Sequence, residues 1–440
     1  MFQTLRNAWK IVDLRKKILY TLFILLIFRI GSAISVPYVD LSALSTNSSN
    51  QFMQLLTLMS GGGFSDASIF ALSITPYINA SIIIQLLTVA LPPLERLAKE
   101  GESGRKKLGQ ITRFVTVGLG LLLGVAYYFM VRNNYDALVP EAEKGGWAWF
   151  AAIVIVLCFA AGSALMMWLG EQINEKGIGN GISMLLFAGI LSRLPSAVVY
   201  LWDMFYQGIQ NIDAGGLQFV IMVPLIIVLF VLIIAFIVFM TDAERRIPVQ
   251  YAKRVVGRKM YGGQSTYIPI KVNMSGVMPI ILASSIVSLP SIIASFIWGS
   301  NGTPKGWWAP FFNAFQSSNP IYLVVLFVLI IAFAFFYVTI QYNPTEMANN
   351  LRKNSGAIPG YRPGKPTADY IKRVLSKVTL MGALFCGVIA VFPGIFGMAT
   401  QIYGLSLGGT SVMIVVGVAL ETVQQIESQM MMRHYKGFLE

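Results

Sequence analysis

The sequence predicts an all-α polytopic membrane protein, and three observations carry that class. Of 440 residues, 55% are hydrophobic and 12% charged, and the mean hydropathy is +0.66, far too apolar for a soluble chain of this length. Ten apolar runs recur along it. Each is close to the roughly 20 residues that a helix needs to cross a hydrocarbon core of about 30 Å. Basic residues collect in every second connection between those runs.

The runs lie near residues 18–37, 75–92, 110–130, 147–169, 180–201, 218–240, 276–298, 320–340, 378–397 and 409–429. Lys and Arg number 5 before the first run, then 5, 1, 7 and 7 in alternate connections and 2 in the tail, whereas no intervening connection holds more than 2. By the positive-inside rule both termini, 1–17 and 430–440, and the heavily basic connections face the cytoplasm. The net charge of +13 is therefore mostly a property of one face. Topogenesis alone accounts for it, as does docking of an anionic partner. The basic start MFQTLRNAWKIVDLRKK imitates a signal peptide, but nine further runs and Arg29 inside the first favour a retained helix.

Several chemistries are excluded. Cys158 and Cys386 sit in separate apolar runs and read as small hydrophobes, so no disulfide framework is expected. The single histidine, His434, leaves no His-based metal site or His-dependent nucleophile. No Walker-type phosphate loop occurs either. No cofactor, metal or catalytic residue is expected, and the chain does not read as an enzyme.

Two connections are longer than a link requires. Residues 241–275 carry Arg245, Arg246, Lys253, Arg254, Arg258 and Lys259, with Gly262 and Gly263 expected at a hairpin tip. Residues 341–377 hold Pro344, Pro359, Pro363 and Pro366 among basic residues. Proline fixes φ and glycine permits tight turns, so both should be ordered and protruding. Long ordered loops usually carry function.

Within the runs, a secondary transporter of a small solute would place ionisable groups or broken helices at the midplane. Arg29 and Glu421 are the charges clearly inside runs, and each lies near an end. Aliphatic pairs one turn apart recur instead, as in Ile78 with Ile82 and Leu186 with Ile190. By themselves such pairs read as lipid-facing or core packing.

The segments SIFALSITPYINASIIIQLL, KEGESGRKKLGQITR, MWLGEQINEKGIGNGIS, GGQSTYIPIKVNMSGVMPIILASSI, IPGYRPGKPTADYI and GGTSVMIVVGVALE together resemble the SecY family, the central subunits of bacterial protein-conducting channels. Order and spacing agree over nearly the whole chain. The resemblance implies two inverted, pseudo-symmetric halves of five spans, 18–201 and 202–429, around an hourglass pore. It implies a re-entrant plug helix over Gly62, Gly63, Phe64, Ser65, Asp66, Ala67, Ser68, Ile69, Phe70, Ala71, Leu72 and Ser73. Gly61 to Gly63 would supply its hinge and Pro76 would start the next span, while Ser65, Asp66 and Ser68 tolerate water. Such a segment is allowed at membrane depth only where protein or a water-filled cavity surrounds it.

By motif position the family's pore ring falls on Ile78, Ile82, Leu186, Ile190, Ile281 and Ile414. Leu186 replaces a more common isoleucine with similar volume. Bulky apolar side chains make a constriction that dewets against ions yet can close around a passing peptide. The resemblance also implies a lateral gate between 76–91 and 275–298, with Asn79, Gln85, Ser284 and Ser285 as candidate seam residues. Arg254, Arg258 and Arg362 fall in loops that dock the ribosome and the motor ATPase SecA. Implied partners are SecE and SecG, signal sequences, nascent polypeptides and the surrounding lipid of a bacterial cytoplasmic membrane. The competing readings are the solute transporter and a passive membrane scaffold.

Overall fold

The computed structural model describes residues 6, 9–40, 60, 62–64, 66–134, 138, 148–210, 217–251, 254–256, 259–261, 265–274, 276–298, 309–315, 319–400 and 409–436. The protein is mostly helical, and a helix occupies each of the ten apolar runs. In the first part of the chain these are α1 (Val12–Ser32), α2 (Thr75–Ala90), α3 (Pro92–Lys99), α4 (Glu102–Asn134), α5 (Ala148–Lys176), α6 (Gly181–Ser192) and α7 (Leu194–Gln210). Then follow α8 (Leu217–Asp242), α9 (Met278–Trp298), α10 (Ala309–Ala314), α11 (Pro320–Gln341), α12 (Pro344–Lys353), α13 (Lys365–Thr400) and α14 (Gly409–Lys436). By length and composition, six helical runs among the described residues can cross a membrane: α4, α5, α6 with α7, α8, α11 with α12, and α13. The bent pair of α2 and α3 makes a seventh when taken as one span.

Proline sets the main break. Leu91 is extended (φ −111°, ψ 114°) ahead of Pro92, and α3 leaves α2 at 102°. A residue before proline is pushed out of the helical region, while proline itself suits a first helical turn. The run at 180–201 is interrupted only at Arg193, which keeps helical angles (φ −91°, ψ −10°), so α6 and α7 together still make one crossing run. Other starts are capped by asparagine: the Oδ1 atoms of Asn180, Asn319 and Asn343 accept from the amides of Ile182, Ile321 and Thr345.

The all-α expectation needs one correction, because the two long connections build sheet. Strands β1 (Glu244–Tyr251), β2 (Arg254–Val256), β3 (Lys259–Tyr261) and β4 (Ser265–Lys271) belong to the first, and β5 (Gly356–Ala357) to the second. Their order is β4-β1-β5, antiparallel, with Ile247 opposite Ile268 and Gln250 opposite Ala357. Alternation turns Ile247 and Val249 inward, where they meet Leu351, Ile358, Ile371 and Leu375. The two connections thus share a core and form one body. The small β2–β3 hairpin pairs Val256 with Lys259, which puts residues 257 and 258 between its strands. Gly262 and Gly263, the expected tip, lie outside the described residues.

Three large apolar clusters among the described residues hold most of the helices, and a small one of Leu14, Ile178 and Ile426 joins α1 to α14. One gathers side chains of α1, α2, α5, α6, α9 and α14; a second joins residues 64–72 to α4 and α5; a third lies among α8, α9, α11, α13 and α14. Phe114, Leu232, Phe239 and Val324 are exposed large apolar side chains on the outer helices. Such surfaces suit lipid rather than water.

Candidate functional site

The first cluster contains the centre of the site. Ile78 and Ile82 of α2, Leu186 and Ile190 of α6 and Ile414 of α14 are each no more than 7% exposed and belong to it, and Ile281 of α9 packs against it. Four helices from distant parts of the chain thus bring all six expected ring residues to one place. Local sequence sets the helix faces: Ile78 and Ile82, like Leu186 and Ile190, are one turn apart and share a side. A cavity of about 410 Å³ opens directly beside them, with Ile78, Leu186, Ile281 and Ile414 in its wall. Asn180, Lys271, Glu421 and Gln424 also line it. Lys271 Nζ donates to Gln424 Oε1 at 2.7 Å, and Gln424 Nε2 donates to Asp242 Oδ1 at 3.3 Å, tying β4, α14 and α8 together at that end. These polar walls can hold water, whereas the aliphatic ones give it no partners.

Residues 62–73 meet the same cluster. The expected plug helix is absent among the described residues of this segment, which is a chain of turns, and Ser65 lies outside them. The backbone shows why. Gly62, Ala67 and Ser73 have φ of 99°, 41° and 51°, and residues beside Ser68 are drawn into pairing with the stretch after α1. The amide of Val36 donates to the carbonyl of Ala67 and that of Ile69 to the carbonyl of Ile34, each at 2.9 Å. A helix cannot keep its own ladder and make those bonds.

The segment is nonetheless enclosed. Phe64, Ala67, Phe70, Ala71 and Leu72 are buried, and only Asp66 among its described residues is exposed. Phe70 stacks on Phe28 of α1 with ring centroids 6.2 Å apart and joins the ring's cluster; Phe64 meets Tyr127 edge-on at 4.9 Å. Non-helical backbone surrounded by protein is the arrangement that a membrane tolerates. Ser68, expected to meet water, is instead fully buried, and its hydroxyl has no hydrogen-bond partner among the described residues. Its Oγ is turned against Gly63.

Sequence reasoning missed what surrounds this segment. A side chain at Gly162 of α5 would strike the carbonyl of Ile69, and one at Gly31 of α1 would strike the ring of Phe70. A lone glycine within an apolar run is the available signal for such close approach. Tyr127, Phe159 and Arg193 carried no local signal.

The four seam candidates divide. The hydroxyls of Ser284 and Ser285 both donate to the carbonyl of Ile281 in their own helix, at 3.0 and 2.8 Å. Gln85 looks elsewhere: its Oε1 accepts a 3.4 Å hydrogen bond from Tyr337 on α11. Asn79 is half-buried on α2. Of the docking candidates, Arg254 is in β2, paired by backbone with Tyr261, and its side chain lies outside the described residues, as does Arg258 entirely. Arg362 is exposed on a turn between Gly360 and Gly364, whose φ values are 85° and 108°. The buried Thr367 fixes that turn by donating to the Arg362 carbonyl at 2.8 Å.

A family model described as SecY matches residues 68–423. The chain belongs to the SecY family. It is 44% identical over 453 residues to the protein translocase subunit SecY of Streptomyces galbus, covering all of both chains. Among solved structures it is similar to a SecY whose plug domain is described as stabilising the closed state of the translocation channel and maintaining a membrane seal, with a TM-score of 0.64. That match has 19% identity over 94% of this chain and 92% of the other. It is also similar to Sec61 in the canine ribosome–channel complex from the endoplasmic reticulum, with a TM-score of 0.62, 18% identity and the same coverage of each.

Proposed function

We propose that this chain forms the pore of a Sec-type protein-conducting channel, which passes unfolded secretory polypeptides across the membrane and releases membrane-protein helices sideways into lipid. The observation that carries this reading is the convergence of Ile78, Ile82, Leu186, Ile190, Ile281 and Ile414 from four helices, with a part-polar cavity beside them and residues 62–73 packed on the same cluster. Aliphatic side chains repel ions by offering no substitute for their hydration, yet flexible rotamers fit any sequence of passing residues. The seal is therefore indifferent to sequence.

In this reading residues 62–73 are the plug, and the ten helical runs are ten spans in two inverted halves, with both termini in the cytoplasm of a bacterial cell. The joint body built by β1, β4, β5 and α12 offers an ordered platform on which Arg362 faces outward, and with Arg254 and Arg258 it docks SecA or a translating ribosome. Contacts of arginine with ribosomal RNA phosphates depend on charge more than on base sequence. SecE and SecG clamp the helices, and the energy for movement enters from SecA hydrolysing ATP or from translation. The solute-transporter alternative finds no support, since the cluster at the convergence is apolar.

A photo-crosslinking amino acid at Ile281 tests the reading. Illumination should attach a stalled secretory chain delivered by SecA or a ribosome, and only when that chain carries a signal sequence. Consistent failure with an active label and a docked chain would return these residues to ordinary packing.

A further inference from the structure

We infer that Arg193 is a positioning residue that latches the segment 62–73 in its seat by gripping it at Gly62; this deepens, and rests on, the reading of that segment as the plug. Arg193 stands at the joint between α6 and α7. Its amide donates to the carbonyl of the ring residue Ile190 at 3.2 Å, and its own carbonyl accepts from the amide of Ala197 at 3.1 Å. Both helices therefore fix its backbone.

Its side chain covers Gly62, the first described residue of the plug turns. A Cβ placed on Gly62 would stand 2.6 Å from Nη2, 2.9 Å from Cζ and 3.0 Å from Nε of Arg193, so the guanidinium lies across the glycine. Gly62 itself has a φ of 99°, which side chains rarely adopt. The chain thus needs glycine here twice over, once for the turn and once to admit the guanidinium. Gly62 is buried, Arg193 is half-buried and its Nε is enclosed by protein. At the C-terminal end of α6 a cation is also favoured by the unpaired carbonyls of the last turn.

The consequence is a mechanical link. Ile190 and Arg193 share one helical turn, so a polypeptide that pushes Ile190 outward also draws the guanidinium off Gly62. Widening of the ring and release of the plug become one motion. Nothing in that coupling requires recognition of the passing sequence.

The test uses the full chain in its assembled translocase, reconstituted in vesicles, with an environment-sensitive fluorophore on Asp66→Cys and resting ion conductance as a second readout. Arg193→Ala should raise the ratio of displaced to seated plug on the order of tenfold. Arg193→Lys keeps the charge without the planar fork and should fall between wild type and alanine. If the alanine variant accumulates poorly, the lysine variant and conductance per channel decide. Deletion of 62–73 tests the plug reading separately. Raised conductance in the deletion, with probe and conductance unchanged in both Arg193 variants, overturns the latch and leaves the plug standing. An unchanged deletion overturns both. A variant that lowers thermal stability without moving the Asp66 probe also overturns the latch, since a merely structural arginine behaves that way.

Discussion

The Tyr127 hydroxyl donates a 2.7 Å hydrogen bond to the carbonyl of Phe64, tying α4 to residues 62–73, the proposed plug. Tyr127 is 3% exposed, and its ring lies 4.6 Å from that of Phe159. Tyr127→Phe should preserve this stacking while removing the donor. A buried carbonyl deprived of its donor costs about 1–3 kcal/mol. The seated state should weaken by that order, and resting conductance and export of proteins with defective signal sequences should both rise. Planar-bilayer currents and a reporter with a crippled signal sequence measure the two effects; wild-type values in both, at normal protein levels, would refute the role.

The buried hydroxyl of Ser68 predicts the opposite sign. It has no partner among the described residues, so the proposed plug carries, when seated, the cost of a desolvated hydroxyl. Ser68→Ala removes that cost and should stabilise the seat by about 1 kcal/mol. Such a channel should open less readily, which slows export of clients with weak signal sequences and leaves strong ones little affected. Pulse-chase export of a paired weak and strong client checks this, and faster export of the weak client would contradict it.

The proposed ring and the proposed plug are unequally legible in the sequence, for physical reasons. The ring residues lie in motifs and on helices whose 3.6-residue period places Ile78 beside Ile82, so tertiary assembly only had to bring four faces together. The plug's conformation depends on the pairing of Ser35 with Ser68, across more than thirty residues, and no local preference announces that. The same limit hid Tyr127 and Arg193, each of which matters through a distant backbone. Ser284 and Ser285 each donate to the carbonyl of Ile281, since a hydroxyl in an apolar helix finds a near acceptor in the preceding turn. The platform was foreseen as ordered, but its sheet needed β5 to cross from the second connection to Gln250 of the first.

Polar substitutions within the ring should open it to ions. Ile82→Asn and Ile281→Asn each put an amide among the aliphatic side chains of α2, α6, α9 and α14, where it can hold water at the constriction. Conductance through the resting channel should increase at least severalfold, and selection of signal sequences should relax. Planar-bilayer recording is the direct check. If either residue merely packs, its variant should lose stability with no change in conductance per folded channel.

Tyr337 and Gln85 supply the last prediction. Their 3.4 Å hydrogen bond joins α2 to α11, and Phe333, one turn before Tyr337, packs against the ring's cluster together with Leu86 of α2. An apolar contact beside a single weak polar one is a junction that can part and re-form. The bond is exposed, so its removal should weaken this junction, which lies beside the expected α2–α9 seam, by only about 0.5–1 kcal/mol. Tyr337→Phe should therefore leave resting conductance near wild type while speeding sideways release of marginally hydrophobic helices into lipid. Gln85→Leu should do the same, and the double variant should add little, because each single change removes the same bond. Glycosylation-reporter insertion assays with a graded series of helices resolve shifts of this size. Fully additive effects in the double variant would show that the two side chains act separately.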